Sequence, residues 1–329
     1  MTETMMREAS ISFPMLGNLT INPKAYFTVF GFDIYWYGVI LAAAFITALF
    51  YCSHRAKDFG LTEDDIFEEI LWMLPLGVIG CRIYFVLFQW DYYSQHLNEI
   101  FKLRDGGIAM YGGIIAGIIF LLIWTKKKKL PLGAVLDVDG AGLILAQCIG
   151  RWGNFMNREA FGTQTDIFCR MGLTNPGAQT IYVHPTFLYE SLWNLAGFIF
   201  LHIWSKKGHR KYDGQLFIIY VMWYGLGRGW IEGLRTDSLW LIPGVIRVSQ
   251  LVAISTAIIM AVILIVQSRR PYPPEKLYVN RVRAAAAAQS AAPEAEPSAN
   301  ADTGLSADED TQSQDAAPAS ADKEENNNV

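Results

Sequence analysis

Arg151-Trp152-Gly153-Asn154-Phe155-Met156-Asn157-Arg158-Glu159 closes one strongly apolar stretch of the chain. Tyr224-Gly225-Leu226-Gly227-Arg228-Gly229-Trp230-Ile231-Glu232-Gly233-Leu234-Arg235 closes another. A charged side chain in hydrocarbon is costly and persists where it faces a protein interior and has a task there. Several such residues at helical spacing predict a polar site built inside a membrane bundle.

Working outward from these runs, the chain of 329 residues is 52% hydrophobic and only 18% charged, enough for several membrane spans and a tail. From Ala284 onward it is Ala, Ser, Pro, Asn and acid, a composition that cannot bury enough surface to offset its ordering entropy, so 284–329 is expected to be disordered. That tail carries ten Asp/Glu and one Lys, so the body, 1–283, is net basic although the whole chain is −4. The four cysteines, Cys52, Cys81, Cys148 and Cys169, have no metal-ligand spacing. Three lie in apolar runs as small hydrophobes, whereas Cys169 lies in a polar connector. No basic region precedes an apolar core at the N-terminus, so no cleaved signal peptide is expected and the first apolar run must direct insertion.

A helical span needs about 20 mainly apolar residues. Seven stretches qualify, at about 34–52, 66–90, 108–124, 132–152, 186–204, 214–234 and 245–267; the fourth is the weakest, because Asp137 and Asp139 lie near its start. The expected fold class is therefore an all-α integral membrane protein with seven transmembrane helices. Arg55 and Lys57, the run Lys126 to Lys129, the group Lys206, Lys207, Arg210 and Lys211, and Arg269 with Arg270 all follow odd-numbered spans. Positive charge favours the cytoplasmic side, which puts the N-terminus outside and the tail inside. Tyr37, Tyr111, His184, Glu190 and Arg247 then fall near the outer starts of spans, and Arg82, Arg151, Asn154, Arg228 and Glu232 near outer ends.

Arg151, Asn154 and Arg158 share a helical face. Guanidinium groups match phosphate with paired hydrogen bonds, so the face suits an anion; the alternative is interfacial arginines that snorkel to the headgroups. Tyr224, Arg228, Glu232 and Arg235 also share a face, and there the alternative is an internal Arg228–Glu232 ion pair. Two basic clusters at one depth would repel unless an anion stood between them. Gly113 and Gly117 have the GxxxG spacing of helix packing. His184-Pro185 opens span five with a normal helix start, and His184 by itself reads more readily as a cap or packing residue.

Together these runs, with His184-Pro185-Thr186-Phe187-Leu188-Tyr189-Glu190 between them, resemble the bacterial prolipoprotein diacylglyceryl transferase family over residues of about 30–270. The resemblance implies an enzyme of the bacterial inner membrane that moves the diacylglyceryl group from phosphatidylglycerol to the lipobox cysteine thiol of a prolipoprotein. A thioether forms and glycerol 1-phosphate leaves. It implies no metal or organic cofactor and no nucleic-acid partner; the partners are the lipid, the lipobox-bearing signal peptide and the bilayer. Arg151, Asn154, Glu159, Tyr37, Gly112, Gly113, Tyr224 and Arg235 fall at substrate-site positions, and Arg228, Glu232, Tyr111 and His184 at catalytic ones.

In one place the chain departs from the family pattern. Many members carry His-Gly-Gly where this chain has Tyr111-Gly112-Gly113, and a phenol of pKa about 10 is a poor base at neutral pH. Tyr111 is therefore expected to orient substrate, with His184 in reserve for proton transfer. The rival functional classes are a multi-pass anion transporter, against which no repeated half is visible, and a non-catalytic lipid-binding membrane protein.

Overall fold

The computed structural model describes residues 9–17, 19–102, 106–236, 240–242 and 246–291. Its frame is a set of long helices: α1 (Trp36–Arg55), α2 (Glu63–Phe88), the one-turn α3 (Trp90–Tyr93), α4 (Met110–Lys128), α5 (Leu132–Asn157), α6 (Thr186–Lys206), α7 (Gln215–Ile231), α8 (Val248–Ser268) and the terminal α9 (Tyr278–Ala291). Five of them are long and apolar enough to cross a membrane: α1 with its 3-10 extension, α2, α4, α5 and α8. The other two expected spans correspond to α6 and to α7, which has 17 residues. α9 continues to Ala291, past the expected start of a disordered tail; residues 292–329 lie outside the described ones.

Local chemistry sets the helix ends. α2 opens on a capping box, in which the Thr62 hydroxyl accepts from the Asp65 N–H (3.1 Å) and the Asp65 carboxylate accepts from the Thr62 N–H (2.9 Å). α7 is capped from another helix. Asp137 of α5 accepts from the N–H groups of Gly214 (2.9 Å) and Phe217 (3.0 Å) and pairs with Arg210 at 3.2 Å. An acid that weakened the fourth span as a sequence pattern is thus fully buried and ties α5 to α7. Arg55 is buried in the same way, not free in a loop, and donates to Asp58 (2.6 Å) and Ser205 (2.8 Å).

α5 is the central helix, packing on α1, α6 and α7, while α7 packs on α8 and α2 on α4. The α2–α4 contact is made by Gly112 and Gly80: a Cβ on either would collide with the other's carbonyl oxygen. The expected Gly113–Gly117 seam is only half present, since Gly113 meets the Cys81 sulfur and Gly117 meets nothing within 4 Å. The main core gathers where α1, α4 and α6 end, around Phe59, Ile66, Leu121, Val135, Leu201 and Leu216.

The opposite end carries strands that the pattern of apolar runs does not anticipate, so the body is mostly helical rather than purely so. β1 (Ser10–Phe13), β2 (Leu19–Ile21), β5 (Met171–Thr174) and β6 (Ile181–Val183) form an antiparallel sheet ordered β2-β1-β5-β6, with Ile11 opposite Leu173 and Leu173 opposite Ile181. β3 (Tyr26–Val29) and β4 (Phe32–Tyr35) form a hairpin leading into α1, and β7 (Trp240–Ile242) pairs with β8 (Ile246–Arg247) before α8. Ile11, Met171, Leu173 and Val183 pack on Phe155 and Phe187, so this sheet rests on the end of α5 and the start of α6. The connector expected to be polar around Cys169 is in fact a small packed cap.

Candidate active site

α5, α6 and α7 each deliver one charged side chain to a common point beneath that cap. Arg151, 19 residues into α5, is about 28 Å along the helix, and Arg228, 13 residues into α7, about 20 Å. Glu190, in the first turns of α6, lies between them. Its carboxylate pairs with Arg151 Nη2 at 2.5 Å and with Arg228 Nη1 at 3.4 Å. The anion that two neighbouring arginines require is therefore a protein carboxylate.

The second oxygen pair belongs to Glu232, in the 3-10 turn that follows α7. Arg228 Nη2 pairs with Glu232 Oε2 at 2.6 Å, so the expected i,i+4 pair forms, and the Arg228 guanidinium spans two carboxylates. Arg235 approaches the same oxygen at 4.0 Å, and Ser249 at the start of α8 donates to the other at 2.5 Å. On the α5 side, Arg151 Nη1 donates to Asn154 Oδ1 (3.3 Å), whose amide donates to Glu159 (2.8 Å). The phenols of Tyr37 and Tyr224 lie within electrostatic reach of Arg151. Gly153 makes room for Tyr37: a Cβ there would stand 2.9 Å from its ring.

The glutamates are almost fully buried, with side chains 4% and 3% exposed, while Arg151 and Arg228 keep 20% and 18% of theirs accessible. Each guanidinium carries five N–H donors in a fixed fork. A fork partly used by a buried carboxylate and partly open presents donors to an incoming anion.

Other expected residues fall elsewhere. Arg158 leaves the face it would share with Arg151, because it ends α5 in a left-handed conformation (φ 52°). Buried, it donates to the carbonyls of Ala9 (2.7 Å), Met156 (2.9 Å) and Pro23 (2.5 Å) and to Asn22 Oδ1 (3.0 Å). It neither snorkels nor joins the anion site; it pins the N-terminal segment. Tyr111 is 59% exposed on α4, its ring 6.5 Å from Tyr84, and the close contacts of Gly112 and Gly113 are with α2. His184 precedes α6, with Nδ1 3.3 Å from the Tyr189 hydroxyl, which in turn is 3.5 Å from the Cys169 sulfur. Burial holds the His184 imidazole below its ordinary value, so it is neutral at pH 7. Its backbone bonds to Gly162 and Thr163, and Thr163 bonds to Leu234, which links the His184 and Arg235 segments.

The keystone, Glu190, was visible in sequence as an acid beside an outer span end, and the rule that buried charges are paired points to it. Ser249 carries no such signal, being one hydroxyl at the head of an apolar helix.

Comparison with known proteins places the chain in a family. The family model for prolipoprotein diacylglyceryl transferase matches residues 24–266. A phosphatidylglycerol–prolipoprotein diacylglyceryl transferase of Limosilactobacillus reuteri is 45% identical over 249 residues, covering 74% of this chain and 90% of its own. Similar proteins of the same name from Enterococcus faecalis and Finegoldia magna are each 43% identical, covering 74% of this chain and 90% and 95% of theirs. Since the match runs through every helix that contributes to the arginine–glutamate cluster, the chain belongs to the prolipoprotein diacylglyceryl transferase family.

Proposed function

We infer that this protein transfers the diacylglyceryl group of phosphatidylglycerol to the lipobox cysteine of a prolipoprotein. It does so from a seven-span position in the bacterial inner membrane, with its basic helix ends in the cytoplasm and the arginine cluster in the outer half. The observation that carries this is one carboxylate, Glu190, shared by guanidiniums from two different helices that both keep open donors. A lipid headgroup and a signal-peptide cysteine both reach that depth without leaving the bilayer.

In the reaction, the thiol sulfur forms a bond to the glycerol carbon as the carbon–oxygen bond to phosphate breaks. The electron pair departs with glycerol 1-phosphate, and the thiol proton must be taken up. Charge growing on the phosphate is stabilised by fixed cations in a water-poor site. Arg151, steadied by Asn154 and Glu159, binds the headgroup phosphate. Arg228 stabilises the departing phosphate, held in place by Glu190 and Glu232. Tyr37, Tyr224 and Arg235 line the headgroup, while Tyr111, Gly112 and Gly113 shape the approach along α4. Neutral His184 is suited to accept the thiol proton. The test is mass spectrometry of a lipobox peptide incubated with purified protein and phosphatidylglycerol. A diacylglyceryl adduct on cysteine, lost in Arg228→Ala, supports the reading; an unmodified peptide with the wild-type protein overturns it.

A further inference from the structure

The hairpin of β3 and β4 leads straight into α1, at the helix end that the basic-loop rule puts outside. Its register sorts the side chains onto two faces. Tyr26 and Tyr35, with ring centroids 5.6 Å apart, and Thr28, which donates to Asp33 at 2.7 Å, make a polar face. Phe27 opposite Ile34 and Val29 opposite Phe32 make an apolar one. Val29, Phe32 and Ile34 are exposed, Phe32 to 75%.

The turn between the strands adds a second observation. Phe30 (φ 49°) and Gly31 (φ 83°) are both left-handed, as in the tight two-residue turn whose usual sequence is Asn-Gly or Asp-Gly. A bulky residue in that conformation is an outlier, and Phe30 is 98% exposed. Asparagine would serve the backbone better at this position. A benzyl ring with no protein around it suits an apolar medium instead.

The base of the hairpin identifies the medium. The Trp36 N–H donates to the Ala25 carbonyl (3.0 Å), and the Trp36 ring packs on Phe27 at 4.9 Å. The apolar face therefore runs without a break into the first turn of α1. That helix is long and apolar enough to cross a membrane, and it leaves Leu41, Ile46 and Phe50 exposed along its length. Strands of four residues reach only about 14 Å, which keeps the hairpin near the border between headgroups and acyl chains, where Trp and Tyr gather. A peptide strand docks through backbone hydrogen bonds at a sheet edge. Phenyl and alkyl groups offer none, and need only a hydrocarbon surface.

We propose that the apolar face of this hairpin is seated in the outer leaflet of the bilayer, with Phe30 wedged among acyl chains beneath the headgroups. The site rests on the reading of α1 as a membrane span and is independent of the transfer reaction. Tyr37, two residues after the hairpin, lies against Gly153 beside Arg151. Seating the hairpin thus fixes the height at which that arginine meets a headgroup.

The experiment is photocrosslinking of the full-length protein in nanodiscs of dioleoyl phosphatidylglycerol and dioleoyl phosphatidylethanolamine, with a lipobox peptide present. A benzophenone amino acid replaces Phe30, Phe32, Thr28 or Phe50, one at a time, and adducts are weighed by mass spectrometry. Lipid adducts are expected from Phe30, from Phe32 and from Phe50 in α1, and are expected to be lost when the probe moves to Thr28 on the polar face. Phe32 lies in an ordinary strand, so its result holds even where a probe at Phe30 disturbs the turn. Equal yields at Phe30, Phe32 and Thr28 overturn the proposal, as do adducts on the peptide or on a second copy of the protein in place of lipid. So does an absence of lipid at Phe30 and Phe32 while Phe50 is labelled. Absence at Phe50 as well would strike the membrane-spanning reading on which the proposal stands.

Discussion

Two buried arginine–carboxylate groups lie at opposite ends of α7 and do different work. At its start, Asp137 is fully buried, meets Arg210, and accepts two backbone N–H bonds from α7, so its oxygens are occupied by the protein itself. Near its end, Glu190 and Glu232 are nearly as buried, yet the arginines they hold keep about a fifth of their surface open. The first arrangement is closed and joins two helices. The second is held in position but unfinished. Burial of a charge does not distinguish structure from function here; the number of donors left open does.

The sharpest way to break this comparison is to remove the open arginine. Arg228→Ala is expected to lower lipobox-peptide transfer by about 10²–10³-fold while the protein stays folded, the scale seen when a preorganised transition-state donor is deleted. Arg228→Lys should not restore it, because a point charge cannot bridge Glu190 and Glu232 as a planar fork does. Equal activity in Arg228→Lys would show that charge alone suffices.

At the closed end the loss should appear in stability instead. Asp137→Asn leaves buried Arg210 with the longer Asp213 contact as its remaining carboxylate among the described residues and should cost about 3 kcal/mol in detergent unfolding, with turnover per folded molecule unchanged. A fall in turnover without a fall in stability would erase the distinction between the two ends.

Smaller effects sharpen the picture. His184, its pKa lowered by burial, should give an activity that is level at neutral pH and falls on acidification, with the midpoint below the ordinary imidazole range; His184→Gln should remove that limb from the pH profile. Ser249→Ala deletes the hydroxyl on Glu232 and should slow transfer about fivefold, about 1 kcal/mol. Tyr111→Phe, on a side chain 59% exposed, should change the rate least, by less than about threefold; a large loss would restore Tyr111 to the chemistry.

The helices were legible because apolar runs of membrane length have few other readings. Much of the cluster was legible too, since charge inside such runs must be paired, and Arg151 and Arg228 do meet. What stayed hidden depends on contacts between distant parts of the chain. β1 pairs with β5 across more than 150 residues, and strands of two to four residues leave no periodic trace. Arg158 is seven residues from Arg151, yet one left-handed residue at the helix end turns it toward Ala9 and Pro23. Asp137 looked like a flaw in a span because helical pattern carries no information about which neighbouring helix lacks a cap.

The grip of Arg158 on Ala9, 149 residues earlier, also fixes an order of events during synthesis. The first strand can pair early with β2, its near neighbour in the chain, but its other edge stays open until Arg158 and β5 emerge, roughly 10–30 seconds later at 5–20 residues per second. For that interval the leading strand pair must wait with one edge open while α1 to α5 are laid down. This early segment is among the last to be locked, and it locks directly over the helix end that presents Arg151.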